Sequence, residues 1–338
     1  MFRYIIKRLL LLIPVLIGVS IIVFAIMRIF SPDPAPIVLG QHATEASIQA
    51  WRESNGLNSP MYMQYWDFLK GIFTGNLGNS YYTKTPVLNE ILVRFPATVE
   101  LALCSIIFAS IFGIIIGVIS AVKKNSIFDN IGMLFALIGV SMPIFWLGLL
   151  LIIIFSSTLG ILPSGGRIDP LMQPQGLTGL YLLDTLILCD FEAFGDALKH
   201  IILPASALGL SSMAIITRMT RSSMLETLNQ DYIRTARSKG ISEGKVIRKH
   251  ALRNALIPIV TVIGLQLGSL LGGAVLTESV FAWPGIGSYT VNAILKSDFP
   301  VVQGVVMLIA IIFVVMNLIV DIVYAFLDPR IKYSNKEG

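Results

Sequence analysis

Few residues of this 338-residue chain stand where their types and spacing could do chemistry. The three histidines, His42, His200 and His250, lie far apart in sequence. No His-Glu-x-x-His stretch occurs, so two histidines one helical turn apart are not there to hold zinc. No Gly-x-Ser-x-Gly turn presents a nucleophilic serine. Gly240-Ile-Ser-Glu-Gly244-Lys245-Val246 comes nearest to a phosphate loop. It has three residues between its glycines where the loop needs four. Val246 also stands where a hydroxyl would reach magnesium. No catalytic residue and no metal site is expected, and the chain is not expected to bind or hydrolyse ATP itself. The basic stretch Asp231–Pro258, with seven Lys or Arg and only two acids, is the chief candidate. Two carboxylates within apolar runs, Glu100 and Asp321, are the others, because an ionisable group in a membrane is a functional suspect. Both read first as structural: Glu100 lies near one end of its run, and Asp321 lies within reach of basic loops.

The elements that carry these residues follow from the apolar pattern. Of all residues 55% are hydrophobic and 13% charged. That is about half the charge fraction of a soluble domain, so the bilayer is the expected solvent. Apolar runs near the roughly 20 residues that cross a bilayer occur at Leu9–Ile29, Thr98–Val122, Ile131–Leu159, Ile201–Thr217, Ala255–Thr277 and Val301–Phe326. The expected fold class is an all-α polytopic membrane protein with about six transmembrane helices. The first run resembles a signal peptide, but it is too long for one and no Ala-x-Ala site follows, so it reads as an uncleaved helix. The third is long enough to tilt. The fourth is short and polar at its end. With the N-terminus inside, 17 of the 25 Lys and Arg fall in inner segments and 13 of the 20 acids in outer ones. This positive-inside pattern places both termini in the cytoplasm. The net charge of +5 follows sidedness, so nucleic acid is not an expected partner. Cys104 lies in an apolar run and Cys189 in a polar loop, and no disulfide is expected.

The expected organisation is a first transmembrane helix at 1–30, an extracytoplasmic region at 31–97, a transmembrane core at 98–326 and a cytoplasmic tail at 327–338. The core carries outer loops at 160–200 and 278–300 and a cytoplasmic loop at 218–254. In the outer region Thr44 and Asn55-Gly56 bracket a short helix. Ser59-Pro60 starts another, whose Met61, Tyr62, Tyr65, Trp66, Leu69 and Phe73 share a face at i, i+3/4 spacing. That face suits the membrane interface, a neighbouring protein, or this chain's own helices. Gly264, Gly268 and Gly272 recur every four residues on the fifth span, and Gly113 and Gly117 do so on the second. Such stripes let helices approach closely, within the chain or against a second membrane subunit. Ser141, Pro143 and Trp146 sit in mid-span, where they either line a pore or mark a packing kink.

The basic stretch lies between the fourth and fifth spans. Ser222–Lys239 lacks Gly and Pro and reads as one helix. Gly240 breaks it, and Ser242 is placed to N-cap a second helix, Glu243–Arg253. There Val246 and Ile247 share a side with His250, Ala251 and Asn254. Two short helices with a glycine hinge suit docking to a partner. Binding to anionic headgroups explains the charge but not the hinge or the mixed apolar face. The stretch resembles the cytoplasmic "EAA" loop of binding-protein-dependent ABC importer permeases. The family pattern is Glu-Ala-Ala, three residues, Gly, nine residues, then Ile-x-Leu-Pro. Gly240 takes the Gly position, Arg234-Thr235-Ala236 the first motif, and His250-Ala251-Leu252-Arg253 the last. "DYIRTARSKG" and "HALRNALIP" are similar to the peptide/nickel branch. So are "RFPATVEL", "SIFDN", "SMPIFW", "LPSGGR" and "GLQLGSLLGGAVLTESVFAWPGIG".

The resemblance implies a type I ABC importer permease in the cytoplasmic (inner) membrane of a bacterium. It implies a second homologous permease subunit beside this one, two ABC ATPase subunits below, and an extracytoplasmic solute-binding protein above, met by 31–97 and 278–300. ATP and Mg would be held by the ATPases, with no cofactor on this chain. Asp231, Arg234, Thr235, Ala236, Arg237, Lys239, Gly240, Ser242, Val246, His250, Leu252 and Arg253 would form the loop that couples to the ATPases. Arg234, where the family has Glu, implies a basic contact to an acidic ATPase surface. The implied cargo is a dipeptide or similar small peptide, with haem, glutathione and nickel carried by others of the branch. An ion-gradient-driven secondary transporter is the alternative, and it would need titratable groups or a broken helix at mid-membrane. An intramembrane enzyme or assembly factor is a third class, against which the missing catalytic residues argue.

Overall fold

The structure is a computed structural model and describes residues 2–40 and 42–327. Asp321, Arg330, Lys332 and Lys336 lie outside the residues whose side chains are described. Among the described residues every regular element is a helix. Helix α1 (Phe2–Ile29) leads to outer helices α2 (Pro34–Leu39), α3 (Glu45–Ser54) and α4 (Met61–Thr74). Thr44 caps α3 by accepting the Ser47 amide at 3.2 Å, and Pro60 begins α4. The turn chemistry of the sequence thus sets both helices. Next come α5 (Val87–Val122), α6 (Ile127–Ser141) and α7 (Ile144–Leu151), followed by α8 (Tyr181–Ile187), α9 (Phe191–Leu228) and α10 (Asp231–Ser238). The short α11 (Glu243–Lys245), a π-helical stretch at Val246–Leu252 and α12 (Arg253–Gly273) form one helical path. The chain closes with α13 (Val275–Val280), α14 (Ile286–Leu295) and α15 (Phe299–Leu327).

Among the described residues four helices are long and apolar enough to cross a membrane: α5, α9, the path from Glu243 to Gly272, and α15. The bent pair of α6 and α7 with its π-helical extension makes a fifth when taken as one span, and α1 contributes the shorter apolar segment Ile13–Ile29. Three expected spans are corrected. The third is not one helix, because α6 and α7 meet at 108°. Pro143 donates no amide and crowds the turn before it, so the helix stops there. The second and fourth begin well before Thr98 and Ile201. Helix α5 has 36 residues and α9 has 38. At 1.5 Å per residue each is roughly 55 Å long, well beyond the bilayer core. Hydropathy marks only the stretch in lipid, whereas the hydrogen-bond ladder continues into water.

Lipid offers helices no hydrophobic force toward one another, so they associate through close packing. The α5–α9 pair shows this. A Cβ on Gly117 would stand 2.5 Å from the Thr220 Cβ and 2.8 Å from the Thr217 carbonyl oxygen. One on Gly209 would stand 2.7 Å from the Ser105 carbonyl oxygen, and one on Gly113 2.9 Å from Ile216. Leu101, Ala109, Leu208 and Ile216 complete this contact and are fully buried. On α12, Gly268 and Gly272 turn toward α15. Added Cβ atoms there would lie 3.4 Å from Met316 and Ile309, ordinary contact distances. Gly264, one turn earlier, is partly buried.

The 160–200 loop is fastened to this frame by a buried ion pair. The Arg167 Nε donates to Glu100 Oε2 at 2.8 Å, and its Nη2 lies 2.6 Å from the same oxygen. The Leu182 amide donates to Glu100 Oε1 at 2.7 Å. The guanidinium lies 3.7 Å from the centre of the Tyr181 ring and donates to the Gly179 carbonyl. Glu100 thus has a structural role in the chain, as its position near the outer end of its run suggested.

Two outcomes follow from this packing. Gly117→Val forces α5 away from the α9 backbone and is expected to cost about 1–3 kcal/mol. A thermal unfolding midpoint in detergent equal to that of the wild type would show that the contact is slack. Arg167→Met leaves a buried carboxylate without its cation, at about 3–5 kcal/mol. Thermolysin should then cut the 163–190 segment faster than in the wild type, and adding Glu100→Gln should slow that cleavage again.

Candidate functional site

The residues singled out in Asp231–Pro258 gather where α9 leaves the bundle. Helix α9 is braced there by a pair that sequence inspection missed. Arg221 grips Asp129 with both arms, Nε to Oδ1 and Nη2 to Oδ2, each at 2.7 Å. Asp129 is buried, and its Oδ2 also takes the Asn125 amide at 3.0 Å. Bidentate geometry makes such a pair strong and directional. One signal was available: Asp129 is an acid in the first turn of an otherwise apolar helix, three residues after the capping Ser126.

The loop itself differs from expectation at three points. Ser222–Lys239 is not one helix. Helix α9 ends at Leu228, Asn229 caps it, and Gln230 is extended before α10 begins. The polar pair Asn229-Gln230 satisfies its own backbone locally and ends the ladder without glycine or proline. The second helix does not stop at Arg253 but runs through the π-helical stretch into α12, since no breaker intervenes. Ser242 occupies the N-cap position, but its hydroxyl makes no capping bond. Its carbonyl accepts the Val246 amide at 3.0 Å instead.

Gly240 does what its position demands. Its φ is +73°, in the left-handed region that penalises a Cβ. Its amide bonds the Arg237 carbonyl at 2.9 Å, and the Ile241 amide bonds the Ala236 carbonyl at 3.3 Å. These two bonds are the Schellman closure of a helix C-terminus. Across the turn Arg237 grips Glu243, Nε to Oε2 at 3.1 Å and Nη2 to Oε1 at 2.6 Å. The contact raises the Arg237 pKa above its ordinary value.

Helix α10 therefore has two distinct sides. Ile233 and Ala236 are buried against Val246 and Ala251, in the same core that holds the α5–α9 contact. The π-helical stretch lets Val246 and Ala251, five residues apart, point the same way. His250 is half-buried, its carbonyl accepting from Asn254 at 2.7 Å, and Leu252 packs on the core. The remaining side faces outward with Asp231, Arg234, Thr235, Lys239 and, beyond the turn, Arg253. Arg234 lies 3.8 Å from Asp231 and is largely exposed, so its charge stays available. Of the twelve residues, Ala236 and Val246 anchor the helix, Arg237 and Gly240 shape the turn, and Arg234, Thr235 and Lys239 form the outward surface.

Ser141, Pro143 and Trp146 lie elsewhere, at the α6–α7 bend. With Ile138, Met142 and Phe145 they line an open apolar groove. At the outer end, Glu278 is fully buried in α13 and accepts from Thr98 Oγ1 at 2.6 Å and from the Ser288 amide at 2.9 Å. A Cβ on Gly285 or Gly287 would meet this carboxylate at 2.3 Å or 2.9 Å, which accounts for both glycines of "WPGIG". Trp283 Nε1 donates to the Ala97 carbonyl at 2.8 Å. Asp298 accepts from Ser80 Oγ at 2.5 Å and the Tyr81 amide at 3.1 Å, tying the two outer segments together. Burial pushes the Asp298 carboxyl up and the Tyr81 phenol up to about 12.

Comparison with known proteins agrees with this arrangement. Residues 113–333 match the family described as "Binding-protein-dependent transport system inner membrane component". Residues 1–102 match "Binding-prot-dependent transport system membrane comp, N-term". The chain is 51% identical over 333 residues to the dipeptide transport system permease protein of Alkalihalophilus pseudofirmus, covering 98% of this chain and all of the relative. It is 46% identical over 339 residues to that of Escherichia coli (strain K12), covering 99% and 100%. It is 43% identical over 334 residues to the glutathione transport system permease protein of Pectobacterium atrosepticum, again covering 99% and 100%. A cytoplasmic loop braced on a helical membrane core, together with these matches along nearly the whole chain, places it in the family of binding-protein-dependent transport system inner membrane components, the permeases of type I ABC importers.

Proposed function

We propose that this chain is the peptide-importing permease half of a heterodimeric pore, paired with a second homologous permease. Two ABC ATPase subunits hold ATP and Mg, and a solute-binding protein delivers dipeptides or similar small peptides from outside. The chain itself takes no cofactor and catalyses no reaction. The observation that carries this reading is the two-sided α10. Its inner side belongs to the core of the spans, and its outer side is free and basic. A partner pushing on Arg234, Thr235 and Lys239 would move α5, α9 and α12 as one body. Transport is coupled only if the inward-open and outward-open states bind the ATPases differently, and α10 is the element that would carry that difference. Among the buried carboxylates, Glu100 and Asp129 are held in ion pairs, which leaves neither of these two free to relay protons. The peptide cargo is drawn from the dipeptide permeases at 46% and 51% identity; glutathione is the next choice.

Purification in mild detergent from the native host should bring down a second permease and the ATPases. Reconstituted with the binding protein, this complex should take up dipeptide only when ATP is present. A chain that purified alone and moved solute down an ion gradient without ATP would overturn the proposal. Gly240→Ala tests the coupling loop. A Cβ there meets no neighbour, so the cost is backbone strain of about 1–2 kcal/mol. Uptake should fall by roughly tenfold while ATP hydrolysis continues and the complex stays assembled. Normal uptake by this variant would sink the coupling role of the turn.

A further inference from the structure

Helix α4 divides its aromatic residues between two faces. Tyr65 and Phe68 pack on α1, with ring centres 5.3 Å and 6.2 Å from that of Phe24. The Tyr65 hydroxyl shares a 2.9 Å hydrogen bond with Ser20 Oγ. Tyr62, Trp66 and Phe73, with Leu69 between them, form a second stripe at i, i+4, i+7 and i+11. Its aromatic residues are uncovered, Tyr62 being 74% exposed, Trp66 67% and Phe73 84%, while Leu69 is half-buried between them.

Depth decides what covers it. Ser20 is nine residues short of the Ile29 end of α1, roughly 14 Å along the helix. Arg28, near that end, sets its guanidinium 5.0 Å from the ring centre of Phe299, at the start of α15. The apolar segment of α1 ends at Ile29, and the polar Ser31 and Asp33 follow at once, which sets the water boundary at that end. Tyr65 reaches well below that level, so α4 lies beside the end of α1 and not above it. At the same level α1 exposes Ile21, Ile22 and Ile26, an apolar face with nothing of the described chain against it. Aromatic side chains of this amphipathic kind concentrate where acyl chains meet headgroups.

We propose that the Tyr62–Trp66–Leu69–Phe73 face of α4 is embedded in the outer leaflet, at the boundary between headgroups and acyl chains. The helix then holds the outer region at a set depth against the first span, independently of the cargo.

The test uses the complete importer in lipid nanodiscs, with Cys104→Ser and Cys189→Ser as background. Nitroxide labels go on Trp66→Cys and Phe73→Cys. Ile21→Cys serves as the lipid reference, and Glu53→Cys on α3 as the water reference. Collisions with oxygen and with a water-soluble nickel chelate are measured with and without the binding protein. Positions 66 and 73 should resemble 21, with nickel collisions several-fold below those at 53 in both conditions. Nickel access at the level of 53 would overturn the proposal. So would protection that appears only after the binding protein is added, which would assign the face to that protein. Brominated lipid gives an unlabelled readout: it should quench wild-type fluorescence more than that of Trp66→Phe. Equal quenching counts against embedding. Neither readout needs transport, so both stand apart from the importer reading.

Discussion

Everything in this permease hangs on how closely the backbones of α5 and α9 approach. At Gly113, Gly117 and Gly209 there is no room for a single Cβ. Where lipid gives no hydrophobic drive, that contact area is what joins two helices of such length. The α6 helix packs on this pair, and Gly132 and Gly139 of α6 are themselves closely approached by Ser120 and Leu210. The rest of the bundle is therefore arranged around a rigid two-helix post.

Charges finish the post at both ends. Glu100–Arg167 binds the outer loop, and Asp129–Arg221 binds the α6 start at the cytoplasmic end. Both pairs are bidentate or supported by further donors, the condition under which a buried pair offsets its desolvation. Their value lies less in net stability than in definition. A buried charge has one acceptable partner, so each end of the post has one arrangement. The outer region is likewise sewn together by Glu278 and Asp298, each supplied with hydroxyl and amide donors.

The cytoplasmic loop uses the opposite strategy. Only Ile233 and Ala236 of α10 are buried, and the turn is held by a Schellman closure and the exposed Arg237–Glu243 pair. Exposed pairs contribute little on their own. The loop is thus firmly joined to the core at two side chains and otherwise presented to the solvent. An element that must be gripped from outside while staying registered to the membrane core calls for such a division.

Much of this was legible in the sequence. Apolar runs identified the membrane class, Lys and Arg placement gave orientation, and Thr44, Pro60 and Gly240 marked ends that the structure keeps, because caps and turns depend on a few neighbouring residues. The resemblance located the loop. What tertiary structure alone decided was every partner at a distance. Nothing local says that Glu100 meets Arg167 or that Asp129 meets Arg221, residues 67 and 92 positions apart. The sequence offered a packing kink at Pro143 as one of two readings, but neither its size of 108° nor the through-running helix from Glu243 to Gly272, since hydropathy reports solvent and not the hydrogen-bond ladder. The glycine stripes were visible as stripes. Which helix each one faces depended on packing, a property of the whole bundle that no window of sequence contains.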